Sequence, residues 1–507
     1  SEQPSLKDAG KGLNISGFAM LGTFYIWSGF TENTGWAHTN TGSDYEDVYL
    51  EKFDHPADSL RYHYGTGYKR ATIWKDTLFY KSGNEIKKKI FEFRKTHRGP
   101  LIAKRDSLWI TMRSAAENPA LYVLQSWRMC RAKNLKEFTA AMGHVQLTTN
   151  TMYADRSGNI AYWHGNAIPR RNESFDWKLP VDGSNPLTEW QGIHSLNEII
   201  HVVNPASGWI QNCNATPFKS AGQNSPVKKN YPAYMSYEDQ NYRADEAIRL
   251  LMQPGKFSFS EFGDWVTSNH LPMMEGWLPQ ILKAFDAQPK KIAEQHVSLK
   301  HAADTLRKWD YRYATGSKAT TLAVFWYRSY LDWVKKQARG RFYGDYSGLM
   351  IYAVKLPAPD SVAVALLSNA VDSLRSKYGT EFISWGDINR LQRIHSSGSL
   401  EKFDDNKFSL PVDAVPSGMG SLFAFQTRTD PGQKKMYGVA GNTYTAIIEF
   451  GKKIQAKSIV TFGQSANPGS PHYFDQASLY AAGEFKDVYF YKKDVMKHAR
   501  RKYHPGE

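Results

Sequence analysis

The chain has 507 residues, of which 41% are apolar, so it can bury a large core. Its net charge of +15 comes from basic residues scattered along the chain, which argues against a nucleic-acid-binding patch. No run of about twenty apolar residues is present, which excludes a membrane-spanning helix. The two cysteines, Cys130 and Cys213, exclude a disulfide scaffold and a cysteine-based zinc site, and two separate thiols are favoured over one bridge.

Short strands are predicted from residue 13 to about residue 203, where β-branched and aromatic residues lie between turn residues. The strand-like segments are NISGFAML, TFYIWSGF, EDVYLEKF, RYHYGTGY, ATIWKDTLFY, KKKIFEFRKT and SLWITMRS. One helix is predicted at residues 134–142, because Asn134 can cap its first turn. A β-hairpin follows, with turn composition at residues 155–158.

The periodicity changes to that of helices from residue 243 to about residue 378, with apolar residues at i, i+3, i+4 and i+7. The periodic segments are ADEAIRLLMQ, FSEFGDWVTS, HAADTLRKWD, TLAVFWYRSYLDWVKKQA and SVAVALLSNAVDSLRSKY. Strand-like sequence returns at residues 422–491. We therefore expect an α+β protein in which residues 1–242 and 420–507 form a β-rich core and residues 243–419 form a mainly helical segment packed on it.

Four segments, taken in order, carry a resemblance to a known family. They are GFTENTGWAHTNTGSDYEDVYLE at residues 29–51, MCRAKNLKEFTAAMGHVQLTTNTMYADRSGNIAYWHGNAIPRR at 129–171, NPASGWIQNCNATP at 204–217 with NYRADEAIRLL from 241, and GQSANPGSPHYFDQ at 463–476. Each motif is weak by itself, but the four in sequence resemble the β-subunit of the penicillin acylase family of N-terminal-nucleophile amidohydrolases.

The resemblance implies the αββα sandwich of N-terminal-nucleophile hydrolases, with a helical insertion. It implies hydrolysis of the amide bond between an acyl chain and an amine, as in penicillin acylases and acyl-homoserine-lactone acylases. The implied partners are an acylated small-molecule substrate and an α-subunit from the same precursor, with neither nucleic acid nor a membrane span. A periplasmic or secreted location and no organic cofactor are also implied.

The family's nucleophile is the side chain of the first β-subunit residue, and the free α-amine of that residue acts as the base. Such an amine, with an ordinary pKa of about 7.7 to 8.0, is well suited to that role. Ser1 matches the nucleophile, the backbone N–H of Asn40 and the side-chain amide of Asn214 match the oxyanion donors, and Arg243 matches an arginine near the nucleophile. From residue type alone, Asn214 could also be a turn residue and Arg243 a solvated helix residue.

The start of the chain departs from the family pattern. Residues 1–12 leave no room for about two strands that the family places between the nucleophile and the segment resembling GLNISGFAMLG. Either an N-terminal piece precedes this chain and carries the nucleophile, or the start is shortened and Ser1 has been recruited. A second class of function also stays open, namely an inactive family member that binds acylated small molecules without cleaving them; a third is a basic binding module.

The acidic run at residues 44–47 and the IPRR turn resemble the calcium site of the family, where hard oxygen ligands bind Ca²⁺. The matching positions are Asp44 and Asp47 as carboxylates, and Glu46 and Pro169 through their backbone carbonyls. One further carboxylate is expected from either Glu238 or Asp239. Without the resemblance, the acidic run would be a solvated turn.

An apolar pocket is expected to bind the acyl group. The residues near the matched motifs that could line this pocket are Phe24, Trp27, Ser28 and Trp163. Aromatic residues at strand spacing are also typical of a core, so a structural role stays open for each of them. The sequence does not distinguish a fatty from an aromatic acyl chain.

Overall fold

The structure is a computed structural model that describes residues 13–288, 297–339, 356–394 and 401–502. The chain divides into two compact units, Glu2–Glu238 and Asp239–Glu507. Ser1, the predicted nucleophile, lies outside the described residues. Cys130 and Cys213 do not form a disulfide. In the described ranges, no helix is both long and apolar enough to cross a membrane.

The first unit is rich in strands, and its described residues contain two α-helices. The helices are α1 (Pro119–Arg131) and α2 (Leu135–Met142). The strands are β1 (Ile15–Phe18), β2 (Ser28–Thr31), β3 (Thr34–Thr39), β4 (Glu46–Lys52), β5 (Arg61–Tyr64), β6 (Gly67–Arg70), β7 (Thr72–Ser82), β8 (Glu85–Lys95), β9 (Leu101–Arg105), β10 (Leu108–Ser114), β11 (Asn150–Asp155), β12 (Ile160–Trp163), β13 (Val181–Asp182) and β14 (His201–Val203).

A six-stranded antiparallel sheet forms the base of this unit, in the order β1-β2-β3-β11-β12-β14. A second sheet has the order β13-β4-β10-β9, and β5-β6 and β7-β8 are separate hairpins. Helix α2 packs on the first sheet because the Phe138 ring contacts Tyr153 and Trp163, with ring centroids 4.7 and 6.1 Å apart. The sheet thereby fixes β3 and β11, whose ends carry the candidate site described below.

Two local predictions for this unit are confirmed. The Asn134 side chain caps α2 by accepting the Glu137 N–H at 2.9 Å. Strands β11 and β12 form the predicted hairpin, and Gly158 in its turn adopts a φ of 87°, a left-handed conformation that favours glycine.

Two other local predictions are wrong. In the segment TFYIWSGF only the last residues form a strand, within β2, and the preceding residues are irregular, with bends. Helix α1 was predicted as part of a strand-rich region. Its buried face includes the polar residues Gln125 and Ser126, so it lacks an apolar stripe; Gln125 is buried because its amide bonds Asn166 Oδ1 at 2.9 Å.

The β7–β8 hairpin is long and unusually open to solvent. Its residues pair one to one, from Thr72↔Lys95 to Ser82↔Glu85, without a bulge. Nearly every side chain in both strands is exposed, and these include large apolar ones such as Phe79. The hairpin therefore gains its order mainly from its own cross-strand pairs, such as the stack of Trp74 on Phe93.

The second unit contains most of the helices. They are α3 (Tyr242–Leu251), α4 (Phe259–Val266), α5 (Pro272–Asp286), α6 (Val297–Arg307), α7 (Lys318–Gln337), α8 (Asp360–Tyr378), α9 (Trp385–Ile388), α10 (Ala477–Ala481) and α11 (Lys492–His498). The strands are β15 (Asn389–Leu391), β16 (Leu410–Pro411), β17 (Phe425–Arg428), β18 (Met436–Gly441), β19 (Tyr444–Glu449), β20 (Gln455–Val460) and β21 (Lys486–Asp487). They form two sheets, β16-β15-β18-β17 and β19-β20-β21.

Helix α7 is the centre of the core of this unit. Its Trp326 ring lies 5.7 Å from Trp277 of α5, and its indole N–H donates to the Ala363 carbonyl of α8 at 3.1 Å. All five segments with helical periodicity form helices, which confirms those predictions. Helix α5 was not among them, because Gly276 and Pro279 interrupt its pattern. The assignment of residues 420–507 to the same core as residues 1–242 stays a prediction.

A fully buried ion pair stabilises the first unit. The side chains of Glu51 and Arg98 have no exposed surface, and their charged atoms lie 3.1 Å apart. Thr111 donates its hydroxyl to Glu51 at 3.2 Å, and Arg98 donates to the Gly183 carbonyl at 2.7 Å. Arg98 also pairs with Glu189 at 2.7 Å, so removal of Arg98 is the change that would leave the buried Glu51 carboxylate without a cation, and it is more costly than removal of both Glu51 and Arg98.

We predict that Arg98→Met lowers the free energy of unfolding by about 3 to 5 kcal/mol. The double variant Glu51→Leu/Arg98→Met should regain part of this loss, because neither charge remains buried. Arg70→Met, which breaks an exposed pair with Asp58, is the control and should cost no more than about 1 kcal/mol. Urea unfolding of all three variants measures these differences, and an equal loss for Arg98→Met and Arg70→Met would contradict the prediction.

The second unit has a buried carboxylate of its own. Glu246 in α3 accepts hydrogen bonds from Arg249 and Ser268, both at 2.7 Å, and His270 Nδ1 lies 2.9 Å from its Oε2. Burial alone would raise the pKa of Glu246, but these bonds outweigh burial and lower the pKa to about 2. Because the folded-state pKa lies below the unfolded value of about 4.3, the ionised carboxylate stabilises the fold at higher pH.

We predict that this stabilisation is complete above about pH 4.3 and is lost as the pH falls toward 2. The difference in urea midpoint between the wild type and Glu246→Gln should therefore shrink over this interval. Glu449→Gln, at an exposed position, should show no comparable trend. A difference for Glu246→Gln that stays constant from pH 6 to pH 2 would refute the linkage.

Candidate active site

The two predicted oxyanion donors lie side by side in the first unit. Asn40 directly follows β3, and the Asn214 amide donates to the Asn40 carbonyl at 2.8 Å. A side-chain amide carries two N–H donors, and this contact uses one of them. Asn214 has a φ of 55°, a left-handed conformation that asparagine tolerates better than most residues. The structure therefore brings together two residues that are 174 positions apart in the sequence.

Two further asparagines complete what we call the asparagine cluster, namely Asn40, Asn150, Asn212 and Asn214. The Asn150 side-chain amide donates to Asn212 Oδ1 at 3.2 Å and to the Asn40 carbonyl at 3.4 Å. Asn212 Oδ1 also accepts the Asn214 N–H at 2.9 Å and the Thr39 hydroxyl at 2.6 Å. The loop that carries Asn214 is thus tied to the ends of β3 and β11.

Sequence reasoning missed Asn150 and Asn212. A signal for Asn212 was present, because an asparagine two residues before another polar turn residue often accepts the backbone N–H of that residue. Asn150 begins a strand and is completely buried. Nothing in its local pattern indicates partners more than 60 positions away.

A buried carboxylate lies against the segment that follows Asn40. Glu238 Oε1 accepts the Gly42 N–H at 2.7 Å, and Oε2 accepts the Thr41 hydroxyl at 3.3 Å. Burial raises the pKa of Glu238 to about 7, although the bonds from Gly42 and Thr41 oppose the shift. His164 is fully buried, with Nδ1 3.4 Å from Glu238 Oε2, and burial lowers its pKa to about 3. Its imidazole is therefore neutral at neutral pH.

Thr41, His164 and Glu238 do not form a hydroxyl–imidazole–acid relay. Such a relay needs the hydroxyl on one ring nitrogen and the acid on the other. Here the Thr41 hydroxyl lies 3.3 Å from His164 Nδ1, the same nitrogen that faces Glu238, and 3.5 Å from Nε2. The arrangement suits a structural support better than an activated nucleophile.

The four residues predicted to line the acyl pocket are in different environments. Phe24 is exposed over 68% of its surface, and its ring contacts Trp127 at 5.8 Å. Trp27 lies 4.5 Å from the His38 ring, and the Ser28 hydroxyl accepts the His38 N–H at 3.2 Å, which connects both residues to β3. Trp163 is buried in the core against Phe138. Their contact with an acyl group stays a prediction.

The acidic residues predicted as calcium ligands surround an arginine. The Arg171 side chain donates from Nε to Asp47 Oδ2 at 2.7 Å, and its Nη2 lies 3.3 Å from Asp44 Oδ1. Burial raises the pKa of Asp44 to about 7 against the lowering effect of Arg171. Asp44 and Glu46 also line a cavity of ≈ 340 Å³, together with Trp177.

Comparison with known proteins assigns the family. The sequence profile of the penicillin amidase family matches residues 6–497. The chain belongs to the penicillin amidase family. This confirms the relationship that the four motifs predict.

Three similar proteins show how much of this penicillin amidase chain is matched and at what sequence identity. Penicillin G acylase of Escherichia coli is 27% identical over 59% of this chain and 34% of its own length. Acyl-homoserine lactone acylase PvdQ of Pseudomonas savastanoi pv. phaseolicola is 24% identical over 95% of this chain and 64% of its own length. The chain thus spans less than two thirds of the length of either relative.

The third similar protein is a solved structure, the thermostable penicillin G acylase from Alcaligenes faecalis. It has a TM-score of 0.72 and 19% identity, and the match covers 99% of this chain and 93% of that one. This likeness shows the fold, and it confirms the predicted α+β class and the N-terminal-nucleophile hydrolase fold.

The remaining catalytic predictions for this penicillin amidase chain stay predictions. Arg243 lies in the first turn of α3, in the second unit, and is partly buried. Ser1 is outside the described residues. Glu238, one of the two candidates for a further calcium ligand, bonds Gly42 and Thr41 as described above, and Asp239 begins the second unit.

The donor chemistry of the acidic site fits calcium. Asp44 Oδ2 and Asp47 Oδ1 are buried oxygens without a hydrogen-bond donor in the part of the chain that the structure describes. Pro169, a predicted carbonyl ligand, forms an isolated β-bridge with Ile193. The hydrogen bonds of this bridge are accepted by the Ile168 and Gly192 carbonyls, so the bridge does not use the Pro169 carbonyl. No group of three or more His, Cys, Asp or Glu side chains is poised for a metal among the described residues, so backbone oxygens would have to contribute.

We predict that Ca²⁺ raises the thermal unfolding temperature of the protein and that chelation lowers it. A ligand at one hundred times its dissociation constant stabilises the folded state by about 2.7 kcal/mol. Asp47→Asn should abolish the response because it removes a buried carboxylate. Glu46→Gln is the matched control, since its exposed side chain is dispensable if only its carbonyl binds. Equal responses in both variants would contradict the site.

Proposed function

We propose that the protein is an amidohydrolase that cleaves the amide bond between an acyl chain and an amine. The observation that carries the proposal is the contact between the Asn214 amide and the Asn40 main chain, supported from behind by Asn150 and Asn212. Two donors at fixed positions beside each other are what an acyl-transfer site requires for the developing oxyanion. The names of the relatives, penicillin G acylase and acyl-homoserine lactone acylase, support the same bond type.

The proposed reaction proceeds through an acyl-enzyme. A serine hydroxyl attacks the amide carbon while a free α-amine takes its proton, and the tetrahedral oxyanion accepts hydrogen bonds from the Asn40 N–H and the Asn214 amide. Collapse breaks the carbon–nitrogen bond, and the departing amine takes up the proton. Water then hydrolyses the ester and releases the acid. Ser1 is the proposed nucleophile in this chain, unless a residue upstream of it supplies that group.

A two-chain, exported enzyme is part of the proposal. The relatives are longer than the region matched here, which supports an additional α-subunit from the same precursor. The fit of the acidic site to calcium is compatible with a periplasmic or secreted location. The proposed substrates are N-acylated small molecules. Residues around Trp27 are proposed to determine which acyl chains the enzyme accepts.

We predict that Asn214→Ala lowers kcat for acyl-amide hydrolysis by about 10² to 10³ with a much smaller change in KM, because the lost contact is strongest in the transition state. The control is Asn84→Ala, an exposed asparagine in the turn of the β7–β8 hairpin. Amine release from phenylacetyl and long-chain acyl amides measures both, and thermal unfolding checks that each variant is folded. An Asn214→Ala enzyme with wild-type kcat would rule out the assigned donor.

The identity of the nucleophile requires a separate experiment. Amino-terminal sequencing of the mature protein shows whether a chain begins at Ser1, and Ser1→Ala should then abolish acyl transfer. A mature chain that begins upstream would remove Ser1 from the mechanism but leave the acylase proposal intact. A wild-type protein that binds acyl amides without releasing amine would instead favour the inactive family member.

A further inference from the structure

Glu238 has no place in the proposed reaction, yet it is one of the most enclosed carboxylates of the first unit. Only 8% of its side chain is exposed. Both of its oxygens contact the segment that directly follows Asn40, through the Gly42 N–H at 2.7 Å and the Thr41 hydroxyl at 3.3 Å. A buried polar group of this kind is costly unless it is bonded, so its position is closely defined by these two partners.

Gly42 leaves room for the carboxylate side chain. A Cβ atom added at Gly42 would lie 2.8 Å from Glu238 Cγ, a separation that real Cβ atoms do not show. Gly42 is not among the glycines with positive φ, so its backbone conformation does not itself require glycine. The absence of a side chain here serves the close approach of Glu238.

The opposite side of the same segment is held by the asparagine cluster. The Asn40 carbonyl accepts from Asn214 at 2.8 Å and from Asn150 at 3.4 Å. Residues 40–42 are therefore bonded by amides at one end and by the carboxylate at the other. The Thr41 hydroxyl also accepts the Ser43 N–H at 3.1 Å, which stiffens the turn between them.

We propose that Glu238 is a positioning residue that fixes the backbone of residues 40–42 and so aims the Asn40 N–H at the oxyanion. This inference rests on the proposed function. Without the carboxylate, the Gly42 N–H loses its acceptor, and the Thr41 hydroxyl is left with His164, whose Nδ1 lies 3.3 Å away. A displacement of about 1 Å at a reacting centre can cost 10²-fold in rate.

The first test compares Glu238→Ala with Glu238→Gln in the complete protein. Glu238→Ala should lower kcat for acyl-amide hydrolysis by about 10- to 100-fold while KM changes by less than about threefold, because substrate binding is not the affected step. Glu238→Gln should retain most of kcat, since its amide oxygen can still accept the Gly42 N–H. A Glu238→Ala enzyme with kcat within about twofold of the wild type, or a Gln variant as slow as the Ala variant, would overturn the proposal.

A double-mutant cycle with Gly42 tests whether the two positions act together. Gly42→Ala alone should slow the enzyme to a similar degree, because the new Cβ displaces Glu238. In the Glu238→Ala background the same change should cause little further loss, since the clash is gone. Losses that multiply independently would show that Gly42 and Glu238 do not act through one contact and would overturn the proposal.

Hydrogen–deuterium exchange separates this inference from the proposed function. Peptides that cover residues 38–45 should exchange faster in Glu238→Ala than in the wild type, with unchanged exchange in the β7–β8 hairpin. That measurement needs no substrate, so an inactive wild type would end the proposed function and still leave the support of the segment measurable. Unchanged exchange at residues 38–45 would refute the positioning role whatever the activity.

Discussion

The arrangement of the first unit around its site depends on how the Asn40 carbonyl is held. Two side-chain amides from distant parts of the chain donate to it, one from a loop and one from the start of β11. Because β3 and β11 are paired in register up to Thr39 and Asn150, the sheet sets where these groups meet. The loop contributes Asn214, whose backbone N–H is held by Asn212 Oδ1 rather than by regular secondary structure.

Neutral groups make up most of this polar network. Burial lowers the pKa of His38 to about 4 and that of His164 to about 3, so both imidazoles are uncharged at neutral pH. Amides and hydroxyls fill the remaining positions. Neutral groups that hydrogen-bond one another avoid the large desolvation cost of buried charges. They also place no negative charge that would repel the oxyanion of acyl transfer. The fully buried ion pair of Glu51 with Arg98 shares no residue with this network.

The sequence predicted the parts that depend on local patterns or on motif order. The cap at Asn134, the turn at Gly158 and the five periodic helices all follow from residues that are close together in the sequence. The contact of Asn40 with Asn214 was expected only through the family resemblance. Helix α1 was missed because Gln125 is buried through a hydrogen bond rather than through apolar character, and hydrophobic periodicity cannot register such a residue. Asn150 and Glu238 were missed as supports because their hydrogen-bond partners lie on distant segments of the chain.

The β7–β8 hairpin has a practical consequence for altering this protein. Its two strands form a ladder without a bulge, and outside this ladder Lys95 at its base makes an isolated bridge to Pro100. A ladder without a bulge keeps its register when matched residues are removed from both strands. Removing them two pairs at a time would also keep each side chain on its original face. The turn at Gly83 and Asn84 is therefore a suitable place to shorten the chain or to attach a label. The hairpin belongs to a different sheet from β3 and β11, which position the asparagine cluster.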